Sequence, residues 1–161
     1  MKTASKLGLT VAIVALILDQ AFKAYMVDYM SGYPFGIDVT PFFRLVMVWN
    51  SGVSFGMFAG GETTRWMLIG LTGIISTVLL IWILRVERKF LGFGVGLVLG
   101  GALGNIADRV YYGRVADFFD FDLYFVRWPA FNTADIAIVC GVTILIVDSL
   151  FFEEKSSKNK T

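Results

Sequence analysis

Two aspartates carry the chemistry this chain most readily suggests. Asp117 precedes the apolar pair Phe118-Phe119, and Asp135 stands three residues after Asn132. The connection from Tyr112 to Asn132 leaves one apolar run and returns to another, which allows the two acids to meet. Two carboxylates about 4 Å apart repel by about 4 kcal/mol at an effective dielectric of about 20. One pKa unit is about 1.36 kcal/mol, so the apparent values of such a pair split by roughly three units and one proton is shared near neutrality. Aspartic-protease chemistry has that requirement: the charged partner activates a water while the protonated one polarises a carbonyl.

Other polar residues gather beside these acids. Asp19 and Lys23 are four apart and meet on one helix face, as a plain ion pair or as one wall of a polar pocket. Asn105, Asp108 and Arg109 share a face in the same way, and Arg109 also has the reach to snorkel to a membrane boundary. Asn132 and Asp135 have the spacing of an N-cap and a first-turn acid. Gly96, Gly100 and Gly104 recur every four residues, which predicts a close helix-packing face; no Lys-Ser/Thr pair follows to make a phosphate loop. Asp117-x-x-Asp120-x-Asp122 lacks the glycine-turned loop of a calcium site, so Asp120 and Asp122 are expected at solvent-facing strand positions. The single cysteine, Cys140, lies in an apolar run and is expected to be inert packing. With one cysteine and no histidine, an internal disulfide, a multi-cysteine metal site and imidazole catalysis are all excluded.

The elements that must position these residues are membrane helices. Of the 161 residues 57% are hydrophobic and only 17% charged, with a mean hydropathy of +0.71; a soluble domain runs nearer 45–50% and about 25%. A net charge of +1 gives no basic surface for nucleic acid. Four apolar stretches have the roughly 20 residues a bilayer core demands, over about 7–27, 66–84, 90–109 and 132–152. The first begins like a signal sequence after Lys2 and Lys6, but Asp19-Gln20-Ala21-Phe22-Lys23 offers no small-residue cleavage site, so it reads as an uncleaved anchor. Lys2, Lys6, Arg85, Arg88, Lys89, Lys155, Lys158 and Lys160 fall on one side, against Arg44, Arg65, Arg114 and Arg127 on the other, which predicts both termini in the cytoplasm. On the outer side, Phe42 to Trp49, a turn at Asn50-Ser51-Gly52 and a return over Val53 to Phe58 read as a β-hairpin, and Asp120 to Tyr124 alternates like a strand. Trp49, Trp66, Trp128, Tyr111 and Tyr112 suit a membrane interface. The fold class expected is a single all-α membrane core of four transmembrane helices under a small extracytoplasmic β-sheet or hairpin cradle, with a disordered polar tail over 153–161.

Five ordered motifs then resemble one family. Asp19-Gln20-x-x-Lys23, Asn50-x-Gly52-x-Ser54-Phe55, Gly100-Gly101-Ala102-Leu103-Gly104-Asn105-x-x-Asp108-Arg109, Val115-Ala116-Asp117-Phe118 and Pro129-Ala130-Phe131-Asn132-x-Ala134-Asp135 are similar to the motif series of the lipoprotein signal peptidases, or type II signal peptidases. The resemblance implies a bacterial inner-membrane endopeptidase, working as a monomer near the outer face, that cleaves diacylglyceryl-modified prolipoproteins just before the lipidated cysteine. It implies Asp117 and Asp135 as the catalytic dyad, and Asp19, Lys23, Asn50, Gly101, Asn105, Asp108, Arg109 and Asn132 as residues that line or support the substrate pocket. It implies no metal and no organic cofactor; substrate and membrane lipid are the partners. Ala116 stands where a larger branched residue is usual, and Ile136 where serine is common. Two rival readings of the same residues are a serine protease with Ser54 and Lys23 as its pair, and a small transporter or proton relay, since intramembrane acids also mark ion paths.

Overall fold

The structure is a computed structural model that describes residues 2–52 and 61–152. Four helices, α1 (Thr3–Met30), α2 (Gly61–Ile83), α3 (Lys89–Tyr111) and α4 (Thr133–Phe152), are each long and apolar enough to cross a bilayer. At about 1.5 Å per residue, the 28 residues of α1 reach about 42 Å, beyond the roughly 30 Å hydrocarbon core. Strands β1 (Ile37–Thr40), β2 (Phe43–Asn50), β3 (Val115–Asp122) and β4 (Arg127–Phe131) form one antiparallel sheet in sequence order.

Helix α3 lies at the centre, packed on α1, α4 and α2. Its glycines make this possible. A Cβ on Gly100 would come within 2.6 Å of the Ala12 carbonyl on α1, and one on Gly101 within 2.5 Å of the Ala134 carbonyl on α4. Gly96 meets Gly8 O on α1 and Gly104 meets the Asp19 carboxylate, so the four-residue glycine spacing is the packing face it predicted. Backbones that approach so closely gain van der Waals contact where lipid supplies no hydrophobic drive. Below the polar residues, Ala12, Leu79, Ile83, Val95 and Leu99 close an apolar core.

The sheet rests on the far end of α1, where Phe118 is buried against Met26 and Met30. Phe43 and Phe121 face each other across β2 and β3, as do Phe119 and Phe131 across β3 and β4, and these rings lie 4.7 and 5.5 Å apart. Strand β2 falls where the aromatic run placed it, but it pairs with β1 before it and β3 beyond it. The return arm expected over Val53 to Phe58 lies outside the described residues, as do Ser54 and the tail at 153–161. At the opposite end of the bundle Ser5 Oγ donates to Leu84 O at 3.2 Å, Lys2 pairs with Glu87, and Arg88 pairs with Asp148.

Candidate active site

The two aspartates reach the site by different devices. Helix α3 ends at Tyr112, whose N–H donates to Asp108 O at 2.7 Å, and Gly113 then takes φ +77°, which only glycine adopts cheaply. The chain turns into β3, and Asp117 follows on an interior strand opposite Val48. Arg65 of α2 holds the same helix end, donating from Nε to Arg109 O at 2.7 Å and from Nη2 to Val110 O at 3.0 Å. At the start of α4 the caps are reciprocal. Asp135 N donates to Asn132 Oδ1 at 3.1 Å and Asn132 N donates to Asp135 Oδ2 at 3.2 Å, a capping box with aspartate in the third position. The pair is therefore an N-cap and its first-turn acid, as the spacing predicts.

Asn132 joins the two acids. Fully buried, it donates from Nδ2 to Asp117 Oδ1 at 2.6 Å while its backbone holds Asp135. Asn50 Nδ2 donates to the other Asp117 oxygen at 2.9 Å, and Asn105 Nδ2 donates to Asp135 Oδ1 at 2.9 Å. Each carboxylate thus accepts two N–H bonds and presents what remains to the cavity that both line. Burial pushes the Asp117 carboxyl up from 3.8 to about 6; the charge of Asp135 adds to the rise, and the Asn50 and Asn132 bonds and Lys23 oppose it.

Beside this pair lies a buried ionic cluster. Lys23, 1% exposed, places Nζ 3.0 Å from Asp19 Oδ2, 3.1 Å from Asp108 Oδ2 and 3.0 Å from Asn105 Oδ1. Taking ions out of water costs several kcal/mol each, so such a cluster persists only when every lone pair is met. Gln20 donates to Asp108 Oδ1 at 3.0 Å and Thr133 Oγ1 to Asp19 Oδ1 at 2.5 Å. Ala116 N donates to Asp108 Oδ2 at 3.1 Å, which fixes the residue just before Asp117. The cluster therefore reaches Asp117 through Asp108 and Asp135 through Asn105. Thr133 and Arg65 were not singled out by sequence reasoning, and Gln20 was marked only as a member of the Asp19-Gln20-x-x-Lys23 motif. Thr133 carried a signal in being a hydroxyl at the first position of a helix, whereas nothing local marks Arg65.

The cavity holds about 650 Å³ between α2, α3, α4 and the edge strand β4. Its upper part is polar, with Asn50, Asn105, Arg109, Asp117 and Asp135; its lower part is mainly apolar, with Leu68, Ala102, Ile136, Ile138 and Val139 beside Thr72. Arg109 leans on backbone, donating from Nη1 to Asn105 O at 3.1 Å. Gly101 sits between α3 and α4. All ten expected site residues thus fall in one connected group, with Asp19, Lys23, Asp108 and Gly101 behind the cavity wall and the others at it or bonded to it. Two expectations are corrected. Asp120 is buried, because β3 is an interior strand covered on both sides and alternation there does not mark solvent; Asp122, at its end, is exposed. Cys140 is exposed and lines the cavity, because an apolar run on a membrane helix turns much of its surface outward.

The chain is similar to known proteins in both sequence and fold. A family model described as signal peptidase (SPase) II matches residues 11–151. A lipoprotein signal peptidase of Rhodopseudomonas palustris (strain TIE-1) is 40% identical over 157 residues, covering 92% of this chain and 94% of that protein. One from Cupriavidus pinatubonensis (strain JMP 134 / LMG 1197) is 42% identical over 151 residues, covering 92% and 85%. Among solved structures, a bacterial membrane enzyme determined by the in meso method at 1.9 Å resolution superposes with a TM-score of 0.76 at 26% identity, over 91% of this chain and 93% of that one. A second, at 2.3 Å resolution, gives 0.75 at 27% identity over 96% and 91%.

Proposed function

This chain belongs to the signal peptidase II family, a multi-pass bacterial membrane protease acting on lipoprotein precursors, and from that premise we propose that it is an aspartic endopeptidase with Asp117 and Asp135 as its dyad. It releases the signal peptide of diacylglyceryl-modified prolipoproteins by cutting before the lipidated cysteine. The observation that carries the reading is Asn132, whose side chain holds one acid and whose backbone holds the other at the rim of a single cavity.

The roles follow from the surroundings of each acid. Asp117, raised to about 6 by burial, is the acid that binds the pair's proton and hands it to the scissile carbonyl oxygen. Asp135, held by Asn105 and the Asn132 backbone, takes a proton from the attacking water as its oxygen bonds to the carbonyl carbon. When the C–N bond breaks, that proton passes to the leaving amine and Asp117 recovers its own. Arg109 at the polar end supplies a cation for the ester or peptide oxygens of the substrate. The apolar lower cavity accepts acyl chains. The protein sits in the cytoplasmic membrane as a monomer with both termini inside; Lys2, Arg88 and Lys89 lie at the bundle end opposite the sheet, which supports that orientation.

The rivals fare less well. Lys23 Nζ is engaged by two carboxylates and an amide oxygen, a poor setting for a general base. A proton path is opposed by the apolar cluster of Ala12, Leu79, Ile83, Val95 and Leu99 below the site. The test is cleavage of a lipidated precursor by the purified protein. Asp117→Asn and Asp135→Asn are each expected to lower turnover at least about a hundredfold without unfolding the protein, while Ser54→Ala keeps substantial activity. Robust cleavage by either aspartate variant rejects the assignment.

A further inference from the structure

One end of the sheet carries an apolar surface that the proposed chemistry does not use. The β3–β4 turn runs Leu123-Tyr124-Phe125-Val126, four residues without charge, and Tyr124 is 80% and Phe125 98% exposed. The turn is well built: Leu123 N donates to Val126 O at 3.1 Å and Tyr124 N to Asp122 Oδ1 at 3.1 Å. Yet Tyr124 has φ +62°, a conformation where glycine or asparagine is the cheap choice and a bulky side chain is an outlier. The β1–β2 turn converges on the same end, since Asp122 N donates to Phe42 O at 3.0 Å and half-exposed Phe42 joins the rim. Turn chemistry alone thus argues against these residues, and so does contact with water.

We infer that this tip is a membrane anchor: Phe42, Leu123, Tyr124, Phe125 and Val126 enter the head-group and upper acyl region of the leaflet on the sheet side of the membrane. Three observations favour lipid over a protein partner. The four tip residues carry no charge of their own, and Asp122 beside them accepts the Tyr124 N–H within the turn. Its strand, β4, is the sheet's edge and lines the cavity through Trp128 and Phe131, so the tip continues from the exposed apolar side of α4 at Ile136 and Val139. Tyrosine beside phenylalanine also matches the amphipathic rings that settle at a bilayer interface. Anchored so, β4 is held against the lipid surface from which an acylated substrate must come.

The experiment reads depth and needs no turnover. Phe125→Trp and, separately, Val126→Trp are reconstituted in vesicles of phosphatidylethanolamine and phosphatidylglycerol, with or without bromine on the upper acyl chain. The parent spectrum is subtracted to isolate the added indole. The anchor predicts blue-shifted added emission that loses about half its intensity in brominated vesicles and resists aqueous acrylamide. Emission quenched by acrylamide and untouched by bromolipid overturns it, and would point to a soluble partner or to an open tip. Two sites are probed so that failure of one variant to fold leaves the other as the test.

Discussion

At the scale of single residues, the acid that titrates unusually is also the one with a pH signature in stability. The Asp117 carboxyl rises from 3.8 to about 6 on folding, chiefly through burial, which corresponds to about 3 kcal/mol. Between those values the folded protein keeps a proton that the unfolded chain has released. Stability from this group is therefore complete below about pH 4, falls as pH rises, and is lost above about pH 6. Asp117→Asn removes the titration, so the variant should gain on the parent in thermal unfolding midpoint between pH 4 and 7 in detergent. Parallel midpoints across that range would contradict the assignment. The two acids themselves were legible from sequence, because carboxylates beside apolar runs are costly and few. Their partners were only partly so. Asn132 advertised itself as a cap three residues before an acid, but its second bond, to Asp117, depends on a strand 15 positions earlier arriving beside it. Asp120 was misread for a similar reason: its burial is set by the strands to either side, which its own neighbours in sequence do not reveal.

At the scale of elements, the four helices were legible because each must satisfy its own backbone in lipid, which makes a long apolar run decisive. The sheet was legible only in part. The aromatic run of β2 was plain, but its pairing with β1, which precedes it across the short turn at Pro41-Phe42, was not read from the sequence. Glycine spacing on α3 proved the most transferable signal, and it yields a paired prediction. A methyl on Gly101 meets Ala134 O at 2.5 Å and Ile138 Cγ1 at 2.8 Å, next to the turn that carries Asp135. Gly101→Ala should cost about 1–3 kcal/mol and lower turnover, since α4 must shift away from Asn105. Gly73 on α2 has nothing within 4 Å of its added methyl, so Gly73→Ala should be neutral or stabilising by about 0.5–1 kcal/mol. Thermal midpoints and cleavage rates of the two variants decide it; equal behaviour would mean that the α3–α4 contact is not tight.

At the scale of the whole molecule, helices α2 and α4 both pack on α3, and the cavity lies between them with β4 above. Its polar groups sit at the sheet end, and its lower wall consists mainly of apolar side chains, some of which, like Val139, are open to the surroundings. The apolar part of the wall suits acyl chains. This shape was not legible in sequence, because Leu68, Thr72 and Val139 look like any other lipid-facing residues until the helices are set beside one another. It makes a prediction about binding rather than chemistry. Thr72→Trp fills the cavity from α2 and should raise KM for a lipidated precursor about tenfold while kcat holds, the pattern of lost uniform binding. Val78→Trp, on the same helix but at an exposed position off the cavity wall, should change neither constant. Steady-state kinetics in mixed micelles measures both. If Thr72→Trp lowers kcat and leaves KM alone, the apolar part of the wall does not hold substrate, and acyl chains must be sought elsewhere on the molecule.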